Sequence, residues 1–132
     1  MKSYIVTAAV LTHENKYLCM QRGPSKYDYV SYKYEFPGGK VEAGESNEDG
    51  LSRELMEEMK IQVSVKPEYF FHTVTHKYPD FKITMHSYLC PVESKEFTLI
   101  EHVDYKWLNK EDLLSLDWAP ADVPIVEKLM RE

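Results

Sequence analysis

A chain of 132 residues, 43% of them hydrophobic, suits one domain with one packed core and leaves no room for a second. Its net charge of −6 argues against a nucleic-acid polymer or an acidic membrane surface as partner. A small phosphorylated ligand stays open, because a bound divalent cation reverses the local sign.

From the N-terminus, SYIVTAAVLT and KYLCMQR read as two strands about the polar turn HENK. The first run lacks a charged leader and reads as a strand, not a targeting segment. No apolar run approaches membrane-spanning length. GPSKYDYVSYK is a polar loop whose tyrosines either line a ligand entrance or form a dimer surface, so monomer and homodimer both stay open. YEFPGGKVEAGES is extended, broken at Pro-Gly-Gly and Ala-Gly.

Ser46 is the predicted N-cap of a helix, with Asp49 as a capping-box-like partner. The helix should run to about Met59 with Leu51, Leu55 and Met59 on its apolar stripe. Gly50 inside it costs about 1 kcal/mol relative to alanine and implies a close contact. IQVSV begins another strand, and EYFFHTVTHKY and FKITMHSYLCPV form a hairpin about Pro79-Asp80. VDYKWL is a further strand, KEDLLSL a short helix, and ADVPIVEKLMRE a terminal helix with Pro124 in its first turn. This alternation of strands and helices predicts an α/β (α+β) fold over residues 1–132, with helices on both faces of a mixed sheet. Cys19 and Cys90 form no CxxC or secreted framework and read as reduced core thiols of a cytoplasmic protein.

The central helix raises the chemical question. Glu54, Glu57 and Glu58 share an arc of about 100° on one face, where like charges repel. Such a cluster can hold Mg²⁺, which takes a few carboxylates and completes its shell with water and phosphate. The alternative is a solvated acidic face.

Neighbouring residues favour the first reading. Gly39, Glu45, Arg53, Glu54, Leu55, Glu57, Glu58 and Ile61 fall on the pattern G-x5-E-x7-R-E-U-x-E-E-x-G-U, with U apolar. The segment 39–61 therefore resembles the Nudix hydrolases. It departs at one place: Lys60 stands where the pattern has a glycine that closes the helix with positive φ, at a cost of about 1 kcal/mol. The resemblance implies an α/β/α sandwich, a loop-helix-loop metal motif, and Mg²⁺- or Mn²⁺-dependent hydrolysis of a nucleoside diphosphate derivative. It also implies that Glu54, Glu57, Glu58 and the Gly39 carbonyl hold the metal, and that Glu45 pairs with Arg53 to brace the loop.

YEFPGGKVE, HKYPDFKIT and the Glu101, Trp107 and PAD spacing extend the similarity to the MutT-like nucleoside triphosphate pyrophosphohydrolases. By that resemblance Glu101 is a metal ligand or general base, and Arg22 a phosphate contact; Lys40 is a weaker phosphate candidate. Phe36 and Tyr78 match positions lining the base pocket, and Phe36 serves equally as core.

Asp122 stands where the oxidised-guanine enzyme of the branch has asparagine. An ionised aspartate only accepts hydrogen bonds, which disfavours a guanine carbonyl and favours an exocyclic amino group. The alternatives are a helix cap and a protonated, buried carboxyl. Phe81 replaces that enzyme's arginine, and the ADVPIVEKLM ending is similar to CTP pyrophosphohydrolases. The expectation is therefore an enzyme cleaving a cytosine nucleoside triphosphate to monophosphate and pyrophosphate. Its rivals are an 8-oxo-dGTP diphosphatase, a nucleoside-diphosphate-sugar hydrolase and a non-catalytic nucleotide-binding module. His72, His76 and His86 lack a fourth ligand for zinc.

Overall fold

The computed structural model describes residues 1–132. Strand β1, Lys2–His13, organises the molecule. Ala8 and Val10 bury into one layer and Ala9 and Leu11 into the other. A strand covered on both faces needs such a continuous apolar run. Alongside β1, strand β6 (Phe81–Pro91) runs parallel from Lys2↔Phe81 to Thr12↔Pro91. The other edge of β1 is shared. Antiparallel β4 (Gly38–Lys40) pairs with Val6–Ala8, and β2 (Lys16–Gln21) pairs at Thr12–His13 after the turn at Glu14-Asn15.

The remaining strands are β3 (Tyr34–Glu35) and β7 (Asp104–Leu108), both on β2, and β5 (Phe70–Lys77) on β6. The result is a mixed seven-stranded sheet. Helix α1, Asn47–Met59, covers one face through Leu51, Leu55 and Met59. Helix α2, Val123–Arg131, covers the other through Ile125, Val126 and Leu129. Helices on both faces of a mixed sheet are the architecture that the element order predicts. Cys19 and Cys90 lie in the two cores, and burial pushes both thiols up to about 12. No helix is long and apolar enough to cross a membrane.

Ser46 caps α1, its Oγ accepting from the Asp49 N–H at 3.1 Å. The Asp49 carboxylate does not return the bond; Glu48 in the same turn instead accepts from the Tyr88 hydroxyl at 2.6 Å. The helix ends on Lys60 in the left-handed region, φ 57° and ψ 34°, whose N–H donates to the Met56 carbonyl at 3.1 Å. The pattern glycine's geometry is therefore kept by a lysine. A Cβ on Gly50 would lie 2.9 Å from Glu45 Oε1, so the helix and the loop before it meet there.

Two expected elements differ. Residues 61–65 form no strand, although Ile61, Val63 and Val65 alternate with exposed Gln62 and Ser64. Those three pack on the α1-side core, while the Val65 N–H goes to Ser52 Oγ at 3.3 Å instead of to a sheet neighbour. The segment KEDLLSL is not an α-helix but a 3₁₀ segment, Lys110–Ser115, with only Leu113 buried. Further 3₁₀ turns, Pro67–Tyr69 and Pro120–Asp122, lead into β5 and α2.

Candidate active site

Gly39 and Lys40 end β4 beside β1, and α1 follows after a short loop, so backbone and helix face one another. A Cβ on Gly39 would lie 2.6 Å from the Glu54 carboxyl carbon. Only glycine lets that carboxylate approach the main chain so closely.

The three helix glutamates occupy three environments. Glu57 is 56% exposed, Glu54 17%, and the whole Glu58 residue 6%. Arg53 serves the outer two: its Nη1 lies 3.1 Å from Glu54 Oε1 and 3.1 Å from Glu57 Oε2. The same guanidinium holds Glu45 with two donors, Nε at 3.1 Å and Nη2 at 2.7 Å, and Nη2 also reaches the Lys40 carbonyl at 3.1 Å. Arg53 thereby joins the glycine strand, the loop and the helix through a planar fork. Its hydrogen bonds hold the Glu45 carboxyl below the usual range.

Glu58 receives no such help. Burial pushes its carboxyl up to about 9, and the charges of Glu54, Glu101 and Glu35 add to the shift. Glu54 is raised too, by burial first, with Arg53 opposing. The side chains are not gathered into a finished ligand cage. They do suit a hard cation. The Glu54 carboxylate lies against the Gly39 backbone, and buried Glu58 Oε2 has no partner.

One cavity of about 740 Å³ collects most of the predicted residues: Arg22, Phe36, Gly39, Lys40, Glu58, Tyr78, Glu101 and Asp122. Glu45, Arg53, Glu54 and Glu57 lie outside its lining. Arg22 Nη1 is 3.4 Å from Glu35 Oε1, and the Lys40 ammonium lies 4.0 Å above the Tyr4 ring. Phe36 packs against Trp118 at 4.8 Å between centroids and also belongs to the core. Tyr78 is fixed by the Ala121 N–H, 3.1 Å from its hydroxyl.

Asp122 differs from the expectation of an ionised acceptor. It is 4% exposed, and its Oδ1 accepts from the Phe36 N–H at 3.0 Å. Burial and the Glu35 charge push its carboxyl well above the usual range, which favours the protonated acid. It makes no capping bond to α2.

Two cavity residues, Glu35 and Thr7, escaped notice in the sequence, and a third, His102 beside Glu101, carries no assigned role there. Glu35 bridges Arg22 and His102, whose Nε2 is 2.9 Å from Glu35 Oε2. His102 is buried, with Nδ1 unpartnered, and so is the Thr7 hydroxyl. Thr7 is the one polar residue inside YIVTAAVL, and Glu35 the one charge between Tyr34 and Phe36. Those interruptions were the available signal. By contrast, His86 pairs with Thr73 at 2.8 Å and His76 packs edge-on to Tyr78 at 4.4 Å.

A glycine strand against an acidic helix beside a carboxyl-lined cavity is the arrangement expected of a Nudix hydrolase. The chain matches the NUDIX domain over residues 2–129 and belongs to that family. It is 31% identical over 133 aligned positions to an 8-oxo-dGTP diphosphatase of Escherichia coli K12, covering 99% of each chain. It is 34% identical over 130 positions to the CTP pyrophosphohydrolase of the same organism, covering 98% of this chain and 93% of the relative. The solution structure of the E. coli ORF135 protein superposes with a TM-score of 0.84 at 32% identity, over 99% of this chain and 91% of that one. The protein is thus a Nudix hydrolase of the MutT-like kind.

Proposed function

We propose that the protein is a Mg²⁺-dependent nucleoside triphosphate pyrophosphohydrolase that favours a cytosine nucleotide and releases monophosphate and pyrophosphate. One observation carries this reading. A single cavity unites the carboxyl groups of Glu35, Glu58 and Glu101, the cations Arg22 and Lys40, aromatic rings and the buried carboxyl of Asp122. Those are the groups that a metal-bound polyphosphate, its charge and its base require.

Glu54, Glu57, Glu58, Glu101 and the Gly39 carbonyl would hold Mg²⁺, with Mn²⁺ as a substitute. When bound, the ion neutralises phosphate charge and lowers the pKa of coordinated water. Arg22 and Lys40 orient the polyphosphate, Arg22 with a forked cation suited to oxyanions. Glu45 and Arg53 brace the loop that carries the glycine carbonyl. Glu101 serves as ligand or as the base that takes the proton of the attacking water. Water adds to one phosphorus as a phosphoanhydride bond breaks.

For the base, Phe36 and Tyr78 supply apolar and stacking surface. A protonated Asp122 donates its O–H to the cytosine ring nitrogen, while Oδ1 accepts from the exocyclic amino group beside its bond to Phe36. The similarity to a CTP pyrophosphohydrolase supports this base. A second reading is oxidised guanine, whose carbonyl and adjacent ring N–H also complement a protonated carboxyl; similarity to an 8-oxo-dGTP diphosphatase supports it. The buried thiols support a cytoplasmic setting.

The test is turnover with Mg²⁺ of CTP, dCTP, 5-substituted dCTP, 8-oxo-dGTP and the ordinary triphosphates, quantifying monophosphate and pyrophosphate. Highest kcat/KM for a cytosine nucleotide is expected. Preference for 8-oxo-dGTP would keep the chemistry and replace the base. No release from any triphosphate would refute the reading.

A further inference from the structure

Four aromatic rings from two distant stretches meet beside the cavity. Tyr27 and Tyr29 come from the loop between β2 and β3; Tyr78 and Phe81 flank the turn of the β5–β6 hairpin. Tyr29 is the middle ring. It stacks on Tyr27 at 5.4 Å and 19°, and on Tyr78 at 5.0 Å and 14°. Tyr27, Tyr78 and Phe81 line the cavity, whereas Tyr29 does not. The Tyr29 hydroxyl instead donates to Asp80 Oδ2 at the hairpin tip, at 2.8 Å.

The loop is a body of its own. Ser31 Oγ accepts from the Ser25 N–H at 2.8 Å and donates to the Ser25 carbonyl at 2.9 Å. At its neck the Arg22 N–H donates to the Lys33 carbonyl at 2.9 Å. Tyr78 is anchored by Ala121, but the Tyr27 hydroxyl has no hydrogen bond within the chain. The Tyr27 backbone is held within the loop by Ser25 Oγ, Val30 and Ser31, and its ring is placed by packing against Tyr29 and on Phe81, 5.3 Å away.

We propose that Tyr29 and Asp80 form a latch that positions Tyr27 at the cavity wall and thereby sets which bases the pocket admits. The inference rests on the triphosphate reading and adds two positioning residues that determine its specificity. Stacking alone tolerates every base, because every base has a π face. Discrimination by size needs a wall that does not yield, and the latch joins the loop wall to the wall anchored at Ala121.

Tyr29→Phe keeps the ring and removes the bond; Asp80→Ala removes it from the other side; Asp80→Asn keeps an acceptor. In the full chain with Mg²⁺, kcat and KM are measured for the best nucleotide and for 8-oxo-dGTP. Tyr29→Phe and Asp80→Ala should each raise KM for the best nucleotide about fivefold, with kcat within about twofold. The preference between the two nucleotides should shrink by a similar factor. Asp80→Asn should restore wild-type values, and the double variant should be no worse than either single, since both remove one bond. Amide exchange in residues 24–33 should accelerate in both singles. An active wild type whose variants keep its KM and preference overturns the latch alone, as do effects that add in the double variant. A wild type inert towards every triphosphate overturns the functional reading and the latch with it.

Discussion

Replacing Asp122 by asparagine tests the protonated carboxyl directly. Asparagine keeps an oxygen for the Phe36 N–H at the same place but takes up no proton. The Asp122 carboxyl is raised in the folded chain by burial and by the Glu35 charge. Between its ordinary value near 3.8 and the raised one, the folded state therefore binds a proton that the unfolded state releases. Folding stability falls as pH rises through that window, by about 1.4 kcal/mol per pH unit. Asp122→Asn lacks this loss. For a chain of this size the difference corresponds to about 5 °C of melting temperature per pH unit. Thermal melts of both proteins without metal, from about pH 5 upwards, give the comparison, and the other titrating groups largely cancel in the difference. The variant should gain on the wild type as pH rises, until the raised value is passed. Parallel curves would refute a raised Asp122 and would return the argument to an ionised acceptor.

Glu58→Gln removes a buried carboxyl that the fold holds at about 9. It should melt above the wild type at neutral pH without metal, lose the melting increase caused by Mg²⁺, and reduce kcat about a thousandfold; calorimetry and turnover check both. Lys60→Gly should raise stability by about 1 kcal/mol in urea unfolding, because glycine adopts the observed left-handed geometry without a Cβ clash, and should leave kcat unchanged.

The parts legible in the sequence are those written locally. Ser46, the Leu51–Leu55–Met59 stripe and the glutamates lie within one helix and its flanks, and helix periodicity orders them without knowledge of the rest. Segment 61–65 misled because alternation reports a face that packs, not a neighbour that pairs. Its hydrophobic side chains found the α1-side core while its backbone took no strand partner. Asp122 misled for a different reason. Its charge state depends on burial, on Glu35 and on a bond to Phe36, 86 residues away in the chain. The Glu35–His102 pair spans 67 residues and leaves no local pattern. Residue type at a matching position carries geometry across a family; protonation is set by whatever the fold brings near.

The crowding of three glutamates on α1 has a partly internal answer. Arg53 lies on the same helix and reaches Glu54, Glu57, Glu45 and, at 3.5 Å, Glu42. The outer carboxylates are therefore partly compensated before any ligand arrives, one guanidinium among four carboxylates, while buried Glu58 has no cation at all. Two roles can be separated here. If Arg53 acts only as a positive charge, Arg53→Lys should match the wild type, because a lysine ammonium is equally charged. If the fork matters, lysine fails: one ammonium cannot hold both Glu45 oxygens in a planar pair while bridging Glu54 and Glu57. The two-point grip on Glu45, at 2.7 and 3.1 Å, favours the fork. Arg53→Lys should thus resemble Arg53→Ala more than the wild type, with a lower melting temperature and a fall in kcat of at least about tenfold. Full recovery by lysine in both measurements would reduce Arg53 to a counter-charge and remove the bracing role from Glu45.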